Sequence, residues 1–354
     1  MSLMIRENVP LAPLTTLKVG GPARLFARAE SESDVADAVA LAAERELALF
    51  VLGGGSNVVI ADHGFDGLVL HIALRGVAAE HRNGEAVVEA RAGEDWDEFV
   101  RFCVERDLAG VECLSGIPGS VGAVPVQNVG AYGQEVADTL IRVRAFDRRA
   151  RRFVELSRDE CGFGYRSSIF NGAERNRFII TAVAFRLRVG GAPTLTYQDL
   201  RARFGDGRPS LAEVRRAVLD VRRAKGMVIE PTDPDTRSVG SFFKNPVLTR
   251  AEFARLERRC ATLGLAPVPH FDAGNERVKV PAAWLIERAG FAKGHCRGGA
   301  CISTKHSLAI VNRSGQATAA EIIALKDEIQ QRVAALFAIE LVPEPVLVGF
   351  GAGV

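Results

Sequence analysis

Ser241 lies in GSFFKNP (240–246), beside Phe242 and Phe243 and ahead of Lys244 and Asn245. The two rings favour burial, but a hydroxyl, an ammonium and a carboxamide buried without partners cost about 1–3 kcal/mol each. The hydroxyl therefore calls for a use. Arg166, in CGFGYRSSIF (161–170), follows an aromatic and precedes two hydroxyls. Its planar, permanently charged fork would suit a substrate carboxylate near a cofactor, although such an arginine more commonly caps a strand end or pairs at the surface. Glu344, in LVPEPVLVGF (341–350), is a lone acid in an apolar, proline-flanked strand. It is either an edge residue facing water or a site residue, because acids are rarely buried without a reason. These three groups could hold a carboxylate and move a proton, but the reaction does not follow from them.

The elements that must position them begin with 23–30 as a strand, 33–45 as a helix and 47–52 as an apolar strand that runs into Gly53, Gly54, Gly55, Ser56 and Asn57. Glycines there let the backbone approach a ligand and present amides to an anion, although a plain tight turn is the simpler use. Further on, 85–93 reads as a strand, 94–108 as an amphipathic helix, 140–156 as a hairpin turning near Asp147-Arg148-Arg149, and 178–189 as a long strand. The segment 114–134 interleaves Gly116, Gly119, Gly122, Gly130 and Gly133 with small apolar residues, too much glycine for regular core. Two amide-rich loops in one half point to a cofactor with a pyrophosphate. The last third opens helices at the capping boxes Ser210/Glu213, Thr249/Glu252 and Thr318/Glu321, the last with Ile322, Leu325, Ile329, Val333 and Leu336 on one face. A separate C-terminal α/β domain is expected from about residue 220.

Composition narrows the class. The 354 residues suffice for two or three domains, and 47% hydrophobic with 25% charged content suits a soluble protein with a large core. Forty-five Lys and Arg against 43 Asp and Glu give a net charge of +2, so no global field supports nucleic acid or an anionic membrane as partner. MSLMIRENVP has no apolar stretch behind basic residues, and no run approaches the ~18 apolar residues of a membrane span. A cytoplasmic protein without membrane insertion is expected. Cys103, Cys113, Cys161, Cys260, Cys296 and Cys301 lack paired zinc spacing, so they are read as reduced packing thiols and no metal is expected.

TTLKVGGPA (15–23), VLGGGSNVVI (51–60), GIPGSVGAVPVQNVGAYGQE (116–135), CGFGYRSSIF, GSFFKNP and AAWLIERAG (282–290), in that order, resemble the UDP-N-acetylenolpyruvoylglucosamine reductase (UDP-N-acetylmuramate dehydrogenase) family. The resemblance covers nearly the whole chain, and the combination of motifs is specific. It implies an α+β fold: a two-lobed FAD-binding module of the vanillyl-alcohol-oxidase (PCMH) type over 1–75 and 76–219, and a C-terminal α/β substrate-binding domain over 220–354. It implies non-covalent FAD, contacted by Leu52, Gly53, Gly54, Gly55, Ser56 and Asn57 on one loop. Ile117, Pro118, Gly119, Gly122, Asn128, Gly130 and Ala131 would contact it from the other.

The implied reaction has two halves in one pocket: NADPH gives a hydride to FAD and leaves, and the enolpyruvyl ether of the UDP-sugar then takes that hydride at its vinyl methylene carbon. Charge on the neighbouring carbon spreads into the carboxylate. By motif, Arg166 and Glu344 polarise that carboxylate, and Ser241 delivers the proton. An ionised Glu344 would repel the enolate, so it is expected to be protonated or tightly paired when the enolate forms. Tyr165, Lys225, Asn245 and Lys293 are implied substrate contacts, and Tyr197 matches the mobile tyrosine loop of one subclass, a lid for the diphosphate. Lys225 could equally be a solvated helix end, and Tyr197 a surface aromatic.

The chain departs from the family's C-terminal L-E-x-E-V-R pattern: Val342 replaces the first acid, Pro345 follows Glu344, and Leu347 stands where a basic residue is common. Two other readings remain. A different oxidase of the same flavin fold would use oxygen, although no local pattern marks His63 or His71 for covalent flavin. A nucleotide-binding module without catalysis would be colourless. The small-molecule partners implied are the UDP-sugar and NADPH, acting on a monomer.

Overall fold

A computed structural model describes residues 3–351. The chain divides into two compact units, one of residues 1–10, 22–55 and 65–228, the other of 11–21, 56–64 and 229–354.

The first unit holds two large sheets, besides a two-stranded pair of Gly130–Ala131 with Gln134–Glu135. In the first, Ile5–Pro10 pairs antiparallel with Pro22–Ala29, which runs parallel to Phe65–Ile72, which in turn runs parallel to Leu49–Leu52. The parallel connection is the helix Glu32–Glu44, opened by a capping box between Ser31 and Asp34 that the sequence reading did not pick out. In the second sheet Arg152–Ser157, Leu140–Asp147, Phe178–Val189, Glu85–Arg91 and Val77–Arg82 lie side by side, all antiparallel. The hairpin and the long strand fall where expected. The helix of 94–108 is confined to Trp96–Glu105, with the Asp95 carboxylate accepting from the amide of Glu98. Trp96, Phe99 and Phe185 stack in one core, with ring centroids 5.0–5.8 Å apart. Glu32 binds the side chain of Arg144 at 2.7 and 2.9 Å and the hydroxyl of Thr181 at 2.9 Å, tying the helix to the second sheet.

The helix Leu211–Ala224 crosses residue 220, and its Val214, Ala217 and Val218 are buried against Cys113 and Leu200. The first unit therefore continues to Val228.

The second unit is built around Phe242, Phe243, Phe253, Leu285, Ile286 and the helix Ala319–Phe337. All three expected capping boxes form. On the last helix Ile322, Leu325, Ile329 and Val333 are buried, but the stripe ends on Phe337, and Leu336 is only half-buried. Two excursions from the N-terminal third are stitched in. Asp62 accepts from the amides of Ala319 and Ala320 at 2.7 and 2.9 Å, placing a carboxylate at a helix N-terminus. Val58–Ile60 pairs parallel with Val346–Val348, and Asn312 Nδ2 donates to the carbonyl of Leu17 at 3.2 Å.

The cysteine expectation needs one correction. Cys103, Cys113, Cys161 and Cys260 are buried free thiols, with pKa values raised by burial. Cys296 and Cys301 instead form a disulfide, because the antiparallel pairing of Cys296–Arg297 with Ala300–Ile302 sets them directly opposite each other. No group of three or more His, Cys, Asp or Glu among the described residues is placed to hold a metal ion.

The turn of the long hairpin is fixed by Asp147, which is 2% exposed. Its carboxylate takes a forked bond from Arg177, 2.7 Å at the shorter arm, and accepts from the amides of Arg149 and Ala150. The Arg177 bond lowers its pKa from 3.8 to about 2. That stabilisation is fully present above the ordinary carboxylate range and is lost as pH falls through the folded value. Asp147→Asn should lower unfolding free energy at pH 7 by about 2 kcal/mol. In denaturant titrations the gap from the parent should shrink between about pH 4 and pH 2, and a gap independent of pH would contradict the assignment.

Candidate active site

In the first unit, strand Leu49–Leu52 delivers the glycine loop to its counterpart. A Cβ on Gly54 would stand 2.6 Å from Cα of Gly119, one on Gly53 2.7 Å from Ser120 Oγ, and one on Gly122 2.5 Å from Ala92 Cβ. Side chains are thus excluded where the two loops meet. The second loop is pinned from behind: Gly119 O accepts from Trp96 N at 3.1 Å, Gly122 N donates to Ala92 O at 2.9 Å, and Gly116 N donates to Asp97 Oδ1 at 2.5 Å. Beside the loops opens a cleft lined by Phe50, Gly53, Ser120, Gly122, Phe178 and Arg148, among others.

Leu52, Gly53, Gly54 and Gly55 end the first unit's strand, and Ser56 and Asn57 begin the excursion that belongs to the second. Ile117, Pro118, Gly119 and Gly122 belong to the pinned loop. Asn128 is 1% exposed, and its carboxamide is fully engaged: Nδ2 donates to Glu135 Oε2 and Gly164 O, and Oδ1 accepts from Ala137 N. It holds the loop against the turn that carries Arg166. Gly130 and Ala131 form a short strand, and Gly130 O accepts from Arg166 Nη2 at 2.9 Å. Arg166 has φ +52°, a left-handed conformation that aims its side chain from the tight turn between Gly164 and Ser167. Its guanidinium lies 5.4 Å from the ring of Tyr165, itself 40% exposed.

Tyr197 precedes the short helix Gln198–Phe204 and meets Tyr132 edge to face at 5.1 Å. Lys225 Nζ lies 5.9 Å from the Tyr132 ring and 3.9 Å from Asp199 Oδ2. Lys225, Tyr197 and Tyr132 therefore form one cluster. Tyr132 was missed by the sequence reading; its signal was its place in NVGAYGQ, inside the glycine segment. Arg222 was also missed: its Nη2 donates to Met227 O at 2.8 Å, while Nε is buried with no hydrogen-bond partner among the described residues, 3.4 Å from where a Gly116 Cβ would stand.

In the second unit, Phe242 and Phe243 are 0% and 1% exposed and anchor the backbone on either side of the polar residues. Phe242 O accepts from Glu344 N at 2.9 Å, Lys244 N donates to Val342 O at 2.9 Å, and Phe243 bridges Pro343. This pairing brings GSFFKNP and LVPEPV side by side. Ser241 is half-buried, and its hydroxyl has no hydrogen-bond partner among the described residues. Asn57 joins the group, donating from Nδ2 to Glu344 O at 3.3 Å and accepting at its carbonyl from Val346 N at 3.0 Å. Asn245 Oδ1 accepts from Ala282 N at 2.9 Å, at the start of the helix Ala282–Arg288, and exposed Lys293 follows that helix. The second unit thus gathers Asn57, Ser241, Asn245 and Glu344; Arg166, Tyr165, Tyr197 and Lys225 belong to the first.

A side-chain-free meeting of two loops beside an apolar cleft fits an extended dinucleotide with a pyrophosphate. Residues 23–153 match the FAD binding domain family. The class is an FAD-dependent oxidoreductase, with a flavin-binding module of the vanillyl-alcohol-oxidase type in an α+β fold. Residues 231–348 match the C-terminal domain of UDP-N-acetylenolpyruvoylglucosamine reductase. The reductase of Thermobifida fusca is 47% identical over 99% of both chains, and that of Mycolicibacterium smegmatis 46% identical over 98% of this chain and 96% of the relative. The crystal structure of the Thermus caldophilus enzyme matches 98% of this chain and 99% of its own, at 27% identity and a TM-score of 0.65. The chain belongs to the UDP-N-acetylenolpyruvoylglucosamine reductase family. It uses FAD and NADPH to reduce the enolpyruvyl UDP-sugar in peptidoglycan precursor synthesis, and so serves wall biogenesis, cell shape and division. No helix among the described residues is long and apolar enough to cross a membrane.

Gly54→Ala tests the cradle. With the Gly119 backbone in the way, the added methyl should abolish flavin retention, giving colourless protein, and lower the unfolding temperature of the apoprotein, which should still unfold cooperatively. A Gly54→Ala protein that purifies yellow would show that the loops do not meet over the cofactor.

Proposed function

We propose that Ser241 delivers the proton in this reduction and that Arg166 and Glu344 hold and polarise the substrate carboxylate. The observation that carries the reading is the main-chain bond from Glu344 N to Phe242 O, which sets the carboxyl's segment against the hydroxyl's. Bound FAD supplies hydride acceptance from NADPH and hydride donation to the vinyl carbon.

Hydride arrival at the methylene leaves negative charge on the adjacent carbon, shared with the carboxylate. Arg166, restrained by Gly130 O, offers a fixed cation for that charge. A serine hydroxyl is a weak acid in water, but an enolate is a strong base, and a hydroxyl with no acceptor among the described residues is available to it. Ser241 protonates the carbon and leaves an alkoxide, which solvent reprotonates. An ionised Glu344 would oppose the first of these events, so Glu344 acts neutral or tightly paired as the enolate forms.

The two sheets of the first unit serve as the flavin lobes expected over 1–75 and 76–219, and the second unit as the substrate domain expected from residue 220. Lys225, Asn245 and Lys293 hold the diphosphate and sugar. Tyr197 belongs to a tyrosine loop that folds over the diphosphate, and its edge-to-face contact with Tyr132 gives it a resting place. The enzyme works in the cytoplasm as a monomer, binding FAD without a covalent link.

The two half-reactions separate the roles. Ser241→Ala should bleach with NADPH at the parent rate under anaerobic conditions, while flavin reoxidation by the enolpyruvyl UDP-sugar falls about 10²–10⁴-fold. Equal loss in both halves would remove Ser241 from the proton step. Tyr197→Ala should raise KM for the UDP-sugar about tenfold with little change in kcat, and an unchanged KM would rule out the lid.

A further inference from the structure

The cleft in the first unit extends beyond the glycine cradle. Strand Leu49–Leu52 leads along it from Phe50 to Gly53, and strand Phe178–Val189 enters at Phe178 and reaches the cradle where Ala92 N bonds Thr181 O at 2.9 Å. Both strands give the same order. Gly53, Gly122 and Ala92 lie at one end, and Phe50, Phe178, Asn176 and Arg148 at the other, about three residues of extended chain away, ~10 Å. Neither Gly130 nor Arg166 lines the cleft, whereas Gly53 and Gly122 of the cradle do. If the reacting ring lies with Arg166, as proposed above, the pyrophosphate at the cradle sends the other half of the dinucleotide, the adenosine, into the cleft.

Arg148 is the charged group at that end. Its amide donates to Arg177 O at 2.9 Å and its Nη1 to Asn176 O at 2.8 Å, so backbone and side chain are each anchored to the 176–177 segment. Neighbouring Arg149 and Arg177 pair with Glu174 and Asp147, whereas Arg148 has no carboxylate partner among the described residues. Burial lowers its pKa, with no acid to offset it. A half-buried guanidinium with no carboxylate partner among the described residues, lining an apolar cleft together with Phe50 and Phe178, suits a planar aromatic ligand: guanidinium faces stack on π systems.

We propose that Arg148 stacks on the adenine of FAD and is the residue that makes the site select the dinucleotide over FMN. The hairpin turn fixed by Asp147 positions it.

The test compares the parent holoenzyme with Arg148→Met, which keeps an unbranched apolar side chain, and with Arg148→Lys, which keeps the charge but not the plane. Dissociation of FAD, followed by flavin fluorescence on dilution, and of FMN from FMN-loaded protein should separate them. FAD affinity should fall about tenfold or more in Arg148→Met and recover only partly in Arg148→Lys, with FMN affinity unchanged within about twofold. Arg151→Ala, which alters the neighbouring basic surface, should change neither. AMP should compete with FAD, but not with FMN, for the parent protein and lose that competition in Arg148→Met. FAD affinity within about twofold of the parent, equal weakening of FAD and FMN, or no competition by AMP in the parent would each overturn the proposal. Slower anaerobic NADPH bleaching of FAD-saturated Arg148→Met than of the parent would put the reacting ring, not the adenine, in the cleft and so overturn the placement of the ring at Arg166.

Discussion

Gly54 and Gly119 come from loops at the ends of different sheets, yet their backbones approach so closely that Gly54 has no room for a Cβ. Such proximity is sterically simple but leaves main-chain amides to be satisfied, and a bound anion does so without any charged side chain. Much of the first unit serves this approach. Trp96, Phe99 and Phe185 set the core beneath the second sheet, Asp97 and Ala92 hold the second loop through its amides, and Glu32 ties the helix of the first sheet to the second. A flexible loop would lose entropy on ordering around a cofactor, whereas loops fixed in advance leave more of the interaction energy for binding.

The second unit solves a different problem with the same means. Ser241 is half-buried in an otherwise apolar stretch, its hydroxyl without a hydrogen-bond partner among the described residues, and Phe242 and Phe243 supply the burial that keeps its backbone in place. The main-chain bridge to the segment around Glu344 then fixes the hydroxyl's neighbourhood without using a side chain for it. The disulfide between Cys296 and Cys301 closes a small hairpin on this unit, whereas the four other cysteines fill core. Cysteine count and spacing could not separate these uses, because the pairing depends on which residues a register sets opposite one another.

The capping boxes, the hairpin turning at Asp147 and the twelve-residue strand Phe178–Val189 were legible because each depends on contacts a few residues apart or on strict periodicity. The end of the last hydrophobic stripe on Phe337 was less so, because spacings of three and four residues fit a helical face almost equally well until a core chooses between them. The continuation of the first unit to Val228 was hidden for a similar reason: the helix Leu211–Ala224 has an apolar face, and nothing local says which core it covers.

Sequence alone determined the chemistry available: a guanidinium, a hydroxyl and a carboxyl in distinctive motifs, two glycine-rich loops, and an order of motifs that resembles one reductase family. These are properties of residue type and short-range spacing, which survive in a linear reading. Tertiary structure alone decided that Glu344 lies against the Ser241 segment, that Tyr132 meets Tyr197, and that Arg148 stands at an apolar cleft with no carboxylate partner among the described residues. Each depends on chain segments far apart in sequence, whose meeting is set by sheet register and core packing rather than by anything the flanking residues encode.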